Sequence, residues 1–349
     1  MLLHRRAFLG GCTLGLAGAC QGGKPRVVLY CAQDREFAEK ILEQFTTETT
    51  VPVVTKFDTE ANKSVGLYLE IVAEKNRPRC DVFWNNEIVS TIRLQRLGLL
   101  DAYHSPAAEP FPEWARATDG TWTAFASRAR VLLVNNRLVP KDEHPRSLFD
   151  LTNHRWKGKV VMARPMFGTT ATQAACLFAV LGAGEATDYY RQLADNQVQL
   201  APGNKQVAEW VSAGKTPSGR PVAMGVTDTD DAIIELRAGR DVTLIFPDRQ
   251  PPDDRLGTLF LPNTLCIPRG GPNPRRGRQL IDYLLSATIE KRLAEGPSAQ
   301  IPLNPTVRAS LHPAMETPTS VHVMKVDWNQ AAEVWDKAQQ AMHRLFGLV

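Results

Sequence analysis

The sequence contains few of the motifs that mark metal centres or catalytic sites. None of its 6 cysteines forms a Cys-x-x-Cys pair or stands at metal-ligand spacing to a histidine, so a structural zinc site is not expected. The chain has neither a Gly-x-Ser-x-Gly elbow nor a Walker loop, and its histidines in the predicted loops are isolated. It is therefore predicted not to be an enzyme.

Charge and hydropathy argue against two further classes. The 41 basic and 37 acidic residues are mixed along the chain, leave a net charge of +4 and form no block of one sign, so a nucleic-acid partner is not expected. Beyond the N-terminus, no stretch approaches the ~18 uncharged apolar residues that a membrane-spanning helix needs. With 349 residues, 43% of them hydrophobic, the chain can bury a large core, and its length favours two domains over one.

The first twenty residues have the pattern of a targeting segment. Arg5 and Arg6 precede an apolar stretch that leads directly into Cys20. The pattern resembles a twin-arginine signal followed by a lipoprotein processing site, although Ala17 stands where Leu, Val or Ile is usual. It predicts a signal peptide over residues 1–19 and an exported, periplasmic protein that is anchored to the membrane by lipidated Cys20. Simple signal-peptidase cleavage nearby is the alternative.

Apolar runs then alternate with helical periodicity. Three strand–helix units open the body, and such a series is typical of an α/β domain with a parallel sheet. The strands are predicted at 27–31, 51–57 and 81–84, and the helices at 36–47, 65–75 and 88–97.

A long strand at 124–134 is followed by a second strand–helix series, which indicates a crossover into a second lobe. The first lobe is predicted to hold residues 26–125 and 268–349, and the second lobe residues 126–267. The apolar residues of the last helix, 328–346, form one stripe, which predicts packing against a lobe. The remaining elements are strands at 159–163, 222–226 and 257–267 and helices at 169–181, 186–196, 205–213, 232–238, 274–287 and 289–295.

Segments in both predicted lobes resemble the ferric-binding protein family of extracellular solute-binding proteins. They are 27–34, 81–87, 97–100, 127–131, 155–159 and 301–303. The resemblance implies the type II periplasmic-binding-protein fold, in which two α/β lobes each have a mixed, mainly parallel sheet flanked by helices. It also implies that the chain closes on a small solute in the cleft between the lobes and presents it to the permease and ATPase of an ABC importer. A monomer is expected.

The family also suggests metal ligands. Members that hold ferric iron use a tyrosine pair after a second-lobe strand, with a first-lobe histidine and glutamate and a synergistic anion. In this sequence Asp228 and Thr229 occupy the tyrosine positions. Asp34 lies near the histidine position, and Asn86 or Glu87 lies near the glutamate position. The resemblance therefore implies Asp34, Glu87 and Asp228 as metal ligands.

Three carboxylates follow the strand predicted at 222–226, namely Asp228, Asp230 and Asp231. Ligands of open α/β sheets bind at such carboxyl ends of strands. These groups offer hard oxygen ligands to a cation or counter-charges to an ammonium group. Helix capping is the alternative, with Asp228 or Thr229 as the N-cap and the other aspartates favourably placed against the helix dipole.

Two helix starts predict an anion-accepting wall, because the first turn of a helix has unpaired backbone N–H groups. Arg128 resembles the family arginine that can contact the anion, and a guanidinium group suits phosphate, carbonate or carboxylate. Ion pairs between the lobes are the alternative role for Arg128 or Arg130. The candidate binding residues of the two helix starts are Gly168, Thr169, Thr170 and Asn204.

The acidic and the anion-accepting wall together fit two kinds of cargo. The first hypothesis, implied by the family, is ferric iron bound through carboxylates with a synergistic anion. The alternative is a phosphorylated or zwitterionic small molecule, such as an aminophosphonate. Tyr189 and Tyr190 are adjacent but lie within a predicted helix, so they are interpreted as packing residues and not as a phenolate pair. A sensor subunit that binds the same solute is a further possibility.

Overall fold

The computed structural model describes residues 26–58, 65–250 and 256–347. The predicted signal peptide and Cys20 lie outside these residues. The strands are β1 (Val27–Cys31), β2 (Val53–Phe57), β3 (Val82–Asn85), β4 (Leu100–Asp101), β5 (Trp122–Asn135), β6 (Val160–Ala163), β7 (Gln199–Ala201), β8 (Met224–Asp228), β9 (Val242–Ile245) and β10 (Phe260–Pro268). The α-helices are α1 (Arg35–Thr49), α2 (Val65–Ala73), α3 (Ile88–Arg96), α4 (Gly168–Val180), α5 (Gly182–Asp195), α6 (Asn204–Ala213), α7 (Thr229–Arg237), α8 (Pro274–Leu284), α9 (Ala287–Glu295) and α10 (Trp328–Phe346).

The described strands form one mixed sheet in the order β2-β1-β3-β10-β5-β8-β6-β7, with β4 paired to β10 and β9 paired to β5. β2, β1 and β3 are parallel, as the three opening strand–helix units predict. β8, β6 and β7 form a second parallel group. The predicted α/β fold with two mainly parallel groups of strands is thus confirmed.

β5 joins the two parallel groups. Over residues 122–129 it pairs antiparallel with β10, and over residues 130–134 it pairs antiparallel with β8. All 14 of its residues are buried, so this strand runs through the centre of the molecule. The change of partner lies a few residues beyond the lobe boundary predicted after residue 125. The residue ranges of the two lobes stay a prediction.

The C-terminal helix α10 lies against α3, α4 and α5. The stripe predicted from its sequence faces these helices, since Ala331, Trp335, Ala338 and Met342 are buried. The prediction that this helix packs against the protein body is confirmed. Among the described residues, no helix combines the length and the apolar character that crossing a membrane requires.

The structure corrects one strand boundary that matters for the site. The sequence predicts a strand ending at Val226, but β8 continues through Thr227 to Asp228. Asp228 can end the strand because its register partner on β5 is Arg130, so the two charges face each other. α7 accordingly starts at Thr229, three residues before the predicted start.

A buried carboxylate fixes a bulge in β5. The register of β5 against β10 shifts between Pro262 and Asn263 of β10, so that Ala126 of β5 has no partner in the register. Ala126 has φ +38°. Glu290 of α9 accepts hydrogen bonds from the backbone N–H groups of Ala126, at 2.6 Å, and of two residues in the segment after α9. This carboxylate therefore ties three chain segments together.

Replacing Glu290 with glutamine is expected to lower the free energy of unfolding by about 1–3 kcal/mol, because an amide N–H₂ would face a backbone N–H and leave buried donors unpaired. Burial raises the pKa of the Glu290 carboxyl, whereas its three backbone donors lower it. Urea unfolding measures the loss. Glu333→Gln, on the exposed face of α10, is the control. Equal midpoints for both variants would contradict the tying role of Glu290.

Candidate functional site

A polar cleft opens where five strands end. The space in and in front of the cleft, open solvent included, amounts to about 400 Å³. Residues that follow β1, β3, β6 and β7, together with the last residue of β8, contribute side chains to it. This is the edge at which α/β sheets bind ligands. The lining residues are Asp34, Asn86, Arg128, Ala163, Arg164, Phe167, Gly168, Thr169, Pro202, Gly203, Asn204, Asp228 and Asp231.

Arg130 and Asp228 form a buried ion pair beside the cleft. Arg130 Nη1 donates to Asp228 Oδ1 at 2.7 Å, and both side chains are at most 3% exposed. Asp228 Oδ2 accepts from Thr169 Oγ1 at 2.6 Å and from Asn204 Nδ2 at 3.0 Å. Arg130 also donates to Thr170 Oγ1 at 3.3 Å. Both oxygens of Asp228 therefore have hydrogen-bond partners within the protein.

A second buried arginine lies next to the first. Arg128 Nη1 pairs with Asp230 Oδ2 at 3.2 Å. Its Nη2 donates to Gln33 Oε1 at 2.7 Å and to Asn263 Oδ1 at 3.1 Å. Arg128 thus connects α7 with the end of β1 and with β10. Both arginines form ion pairs, as the alternative role predicts, but each pair joins residues of the predicted second lobe and does not join the two lobes.

Four carboxylates surround the guanidinium group of Arg128. Burial lowers the pKa of Arg128, but these carboxylates raise it, and the pKa lies above its usual value. The guanidinium group is therefore charged at every physiological pH. The carboxylates, in order of decreasing effect, belong to Asp230, Asp228, Asp34 and Asp231.

The capping alternative for the acidic cluster is confirmed for the position of Asp228, but not for a capping hydrogen bond from its side chain. Asp228 occupies the N-cap position of α7 but makes no side-chain capping hydrogen bond. Thr229 accepts instead from the backbone N–H of Ala129 at 3.1 Å. Asp230 and Asp231 lie in the first turn of α7, where the helix dipole favours negative charge.

The N-termini of α4 and α6 both face the cleft. Their N-cap residues, Phe167 and Gly203, provide no side-chain hydrogen bond to the first turn of either helix. Gly168 starts α4 with φ +55°, a conformation that glycine adopts without strain. Since both helix starts contribute to the cleft lining, two sets of first-turn N–H groups converge on the same space.

Glu87 has a structural role outside the cleft lining. It is the N-cap of α3, and its carboxylate accepts from the backbone N–H groups of Val89 at 2.7 Å and Ser90 at 3.0 Å. It also accepts from Asn85 Nδ2 and from Thr172 Oγ1. These bonds occupy the oxygens that the predicted metal set needs from this residue, so the structure does not bring Glu87 together with Asp34 and Asp228.

Among the described histidine, cysteine, aspartate and glutamate residues, Asp228, Asp230 and Asp231 are the one group of three whose ligand atoms lie within 4.8 Å of one another. Two of the three are already paired with buried arginines. A cation at this position would compete with two guanidinium groups, and it would bring further positive charge beside them. The acidic cluster is therefore a poor site for a trivalent metal.

All 6 tyrosines of the sequence are among the described residues, and none of them lines the cleft. Tyr189 and Tyr190 are buried in α5, with their ring centroids 5.1 Å apart and with Phe149 against Tyr189. Burial raises the pKa of both phenols, so they stay protonated. Their interpretation as packing residues is confirmed.

The structure adds lining residues that the sequence analysis does not select. Arg164 follows β6, and the same strand-end rule that indicates Asp228 would have found it. Gly203 follows β7, a strand that the sequence does not predict, so the rule gives no signal there. Phe167 carries no such signal, because an apolar residue at an N-cap position looks like an ordinary core residue. Of the predicted residues, four lie behind the lining: Glu87, Thr170, Thr229 and Asp230.

A polar cleft at the strand ends of an α/β fold with two parallel groups is the kind of site in which a solute-binding protein holds its ligand. The sequence profile of the family described as bacterial extracellular solute-binding protein matches residues 88–333, and the chain belongs to this family. Binding proteins of this family work with the permeases and ATPases of ABC importers.

Individual relatives are distant in sequence. An uncharacterised protein of Haemophilus influenzae is 26% identical over 334 residues, which cover 91% of this chain and 88% of the relative. Iron-bound HitA from Pseudomonas aeruginosa has a TM-score of 0.81 at 21% identity, covering 93% of this chain and 100% of HitA. AfuA from Actinobacillus pleuropneumoniae, with exogenous fructose-6-phosphate bound, has a TM-score of 0.80 at 21% identity, covering 94% of this chain and 100% of AfuA. These structures confirm the two-lobed periplasmic-binding-protein fold.

Proposed function

We propose that this protein binds a small phosphorylated organic solute in the cleft and delivers it to an ABC importer. The observation that carries the proposal is the convergence of two helix N-termini, those of α4 and α6, neither of which has a side-chain cap. A phosphate group has enough acceptor oxygens to bond several first-turn N–H groups, and the helix dipoles favour its charge. Arg164, which is exposed at the cleft, adds a further positive charge.

Other lining residues of the cleft suit the rest of such a solute. Asp34, Asn86 and Asp231 contribute carboxylate and amide groups to the lining. Carboxylates accept hydrogen bonds from hydroxyl or ammonium groups, so a sugar phosphate or a phosphorylated amine fits better than a bare phosphate ion. The likeness in fold to AfuA, which was solved with fructose-6-phosphate, supports this class of ligand.

Ferric iron is the second candidate, supported by the likeness in fold to iron-bound HitA. Three observations argue against iron binding. The cleft lining contains no tyrosine, and Glu87 caps α3. Asp228 and Asp230 are already paired with two arginines. The sequence-based preference for iron is therefore replaced here by the phosphorylated solute.

Thermal unfolding with added ligands distinguishes the two candidates. Fructose 6-phosphate, glucose 6-phosphate and 2-aminoethylphosphonate are the phosphorylated probes, unphosphorylated fructose is the matched control, and ferric citrate tests iron. At least one phosphorylated probe is expected to raise the midpoint, since a ligand at about 100 times its Kd stabilises by about 2.7 kcal/mol. Fructose and ferric citrate should leave it unchanged. A shift with ferric citrate and none with any phosphorylated probe would reverse the proposal.

Export and lipid attachment at Cys20 belong to the same proposal and rest on the sequence pattern of residues 1–20. A lipid anchor would hold the solute-binding body near its importer in the membrane. The mass of the mature N-terminal peptide tests it, because an unmodified Cys20 or cleavage elsewhere would contradict the anchor.

A further inference from the structure

Arg128 imposes an orientation on the amide side chains around it. A guanidinium group only donates hydrogen bonds, so the amides of Gln33 and Asn263 turn their oxygens towards it. Asn263 Nδ2 donates in turn to Gln300 Oε1 at 2.9 Å. Each amide in this chain of hydrogen bonds is therefore directed with its nitrogen away from Arg128.

Three donor atoms of this hydrogen-bonded group of side chains have no hydrogen-bond partner among the described residues. They are Arg128 Nε, Gln33 Nε2 and Gln300 Nε2, and each of these residues is at most 2% exposed. A buried donor without a partner costs about 1–3 kcal/mol. No acceptor atom of these three side chains is without a partner, so the unsatisfied groups are of one kind.

One of the residues with an unpaired donor, Arg128, lines the cleft. Gln33 lies directly behind the lining, because it is hydrogen-bonded to Arg128 and precedes Asp34, which also lines the cleft. Buried, unpaired donors at the wall of a binding cleft are complementary to an acceptor atom of the ligand. The surrounding carboxylates, Asp34 and Asp230 among them, oppose a second negative charge here.

We propose that Arg128 Nε and Gln33 Nε2 form a subsite for an uncharged, acceptor-only oxygen, namely a carbonyl oxygen of the solute. The inference rests on the proposed function and narrows it, because the solute then has a phosphate group for the helix N-termini and a carbonyl group for Arg128 and Gln33. A hydroxyl group fits less well, since its proton has no acceptor among these donors. A carboxylate is disfavoured by the neighbouring aspartates.

Two three-carbon phosphate esters that differ at one oxygen test the subsite. Dihydroxyacetone phosphate has a carbonyl group where glycerol 3-phosphate has a hydroxyl group. Isothermal titration is expected to show about tenfold tighter binding of the carbonyl compound, as one well-made hydrogen bond to a buried group is worth about that factor. 3-Phosphoglycerate tests the charged alternative, and inorganic phosphate tests the helix N-termini alone.

Gln33→Glu replaces the donor with an acceptor of the same shape and is expected to bring the affinity ratio of the two esters close to one. Gln33→Met, which lacks the donor and keeps the length, repeats the test if the glutamate variant does not fold. Gln192→Glu makes the same chemical change on the exposed face of α5 and should keep the ratio.

Equal affinities in the unsubstituted protein, an unchanged ratio in both Gln33 variants, or tightest binding of 3-phosphoglycerate would each overturn the carbonyl subsite. Water that satisfies the donors would produce the first of these results. In all three cases phosphate esters still bind, so the proposed function stands. If neither inorganic phosphate nor any phosphate ester binds, the proposed function fails, and the subsite fails with it.

Discussion

Replacing Asp228 with alanine is expected to lower the free energy of unfolding by about 3–5 kcal/mol, because it leaves a buried charge without its partner. Arg130 is 1% exposed, and Asp228 is its one salt-bridge partner within 4.0 Å among the described residues. Thr169 and Asn204 would lose their shared acceptor at the same time. Chemical denaturation followed by circular dichroism measures the loss.

Two variants show whether the loss comes from the ion pair. Asp228→Asn removes the charge but keeps an oxygen for Thr169 and Asn204, so its loss should lie between those of the parent and the alanine variant. Asp231→Ala removes a carboxylate from the same cleft at a half-buried position, and about 1 kcal/mol or less is expected. If Asp228→Ala and Asp231→Ala unfold at the same midpoint, Asp228 is not a structural counter-ion.

Replacing Gly203 with aspartate is expected to weaken binding of the phosphorylated solute about a hundredfold, since the new carboxylate would occupy the first-turn N–H groups of α6 and repel a phosphate. Gly203 has φ −156° and ψ 177°, an extended conformation that any residue adopts. The same change should stabilise the free protein by a few tenths of a kcal/mol, because aspartate caps helices better than glycine. Stability and affinity therefore change in opposite directions.

Gly203→Asn is the matched control for charge, because asparagine caps a helix about as well as aspartate without the negative charge. It should weaken binding less than the aspartate variant does. Titration calorimetry with the phosphorylated probe that gives the largest thermal shift measures both variants. Unchanged affinity in the aspartate variant would show that the phosphate does not bind at α6.

The periodic parts of the sequence predict the fold well. The last helix is predicted at 328–346 and observed over Trp328–Phe346, because its apolar stripe continues to both ends. β4, β7 and β9 escape prediction, since strands of two to four residues are too short to show a period. β8 is placed two residues early because Thr227 and Asp228 look like a loop until Arg130 is known to face them.

The candidate site is predictable in position and not in chemistry. The strand-end rule selects the correct edge of the sheet for Asp228, and the family resemblance selects Asp34 and Asn86, which line the same cleft. Neither argument can tell which carboxylates have partners. Asp228 and Asp230 look like free ligands in the sequence, but two arginines of β5 neutralise them. Those arginines lie in β5 directly before its apolar end, Val131–Val134, and only the sheet register shows which way they point.

The position of β10 between β3 and β5 has a consequence for folding. β3 ends at Asn85, and its neighbour in the sheet starts at Phe260, so about half of the chain separates two strands that pair directly. Until β10 has been synthesised, β3 and the first half of β5 each have an open edge that can pair with another chain. The incomplete chain is therefore exposed to aggregation until residue 268 is available, and contacts of such long sequence separation make the last step of assembly slow.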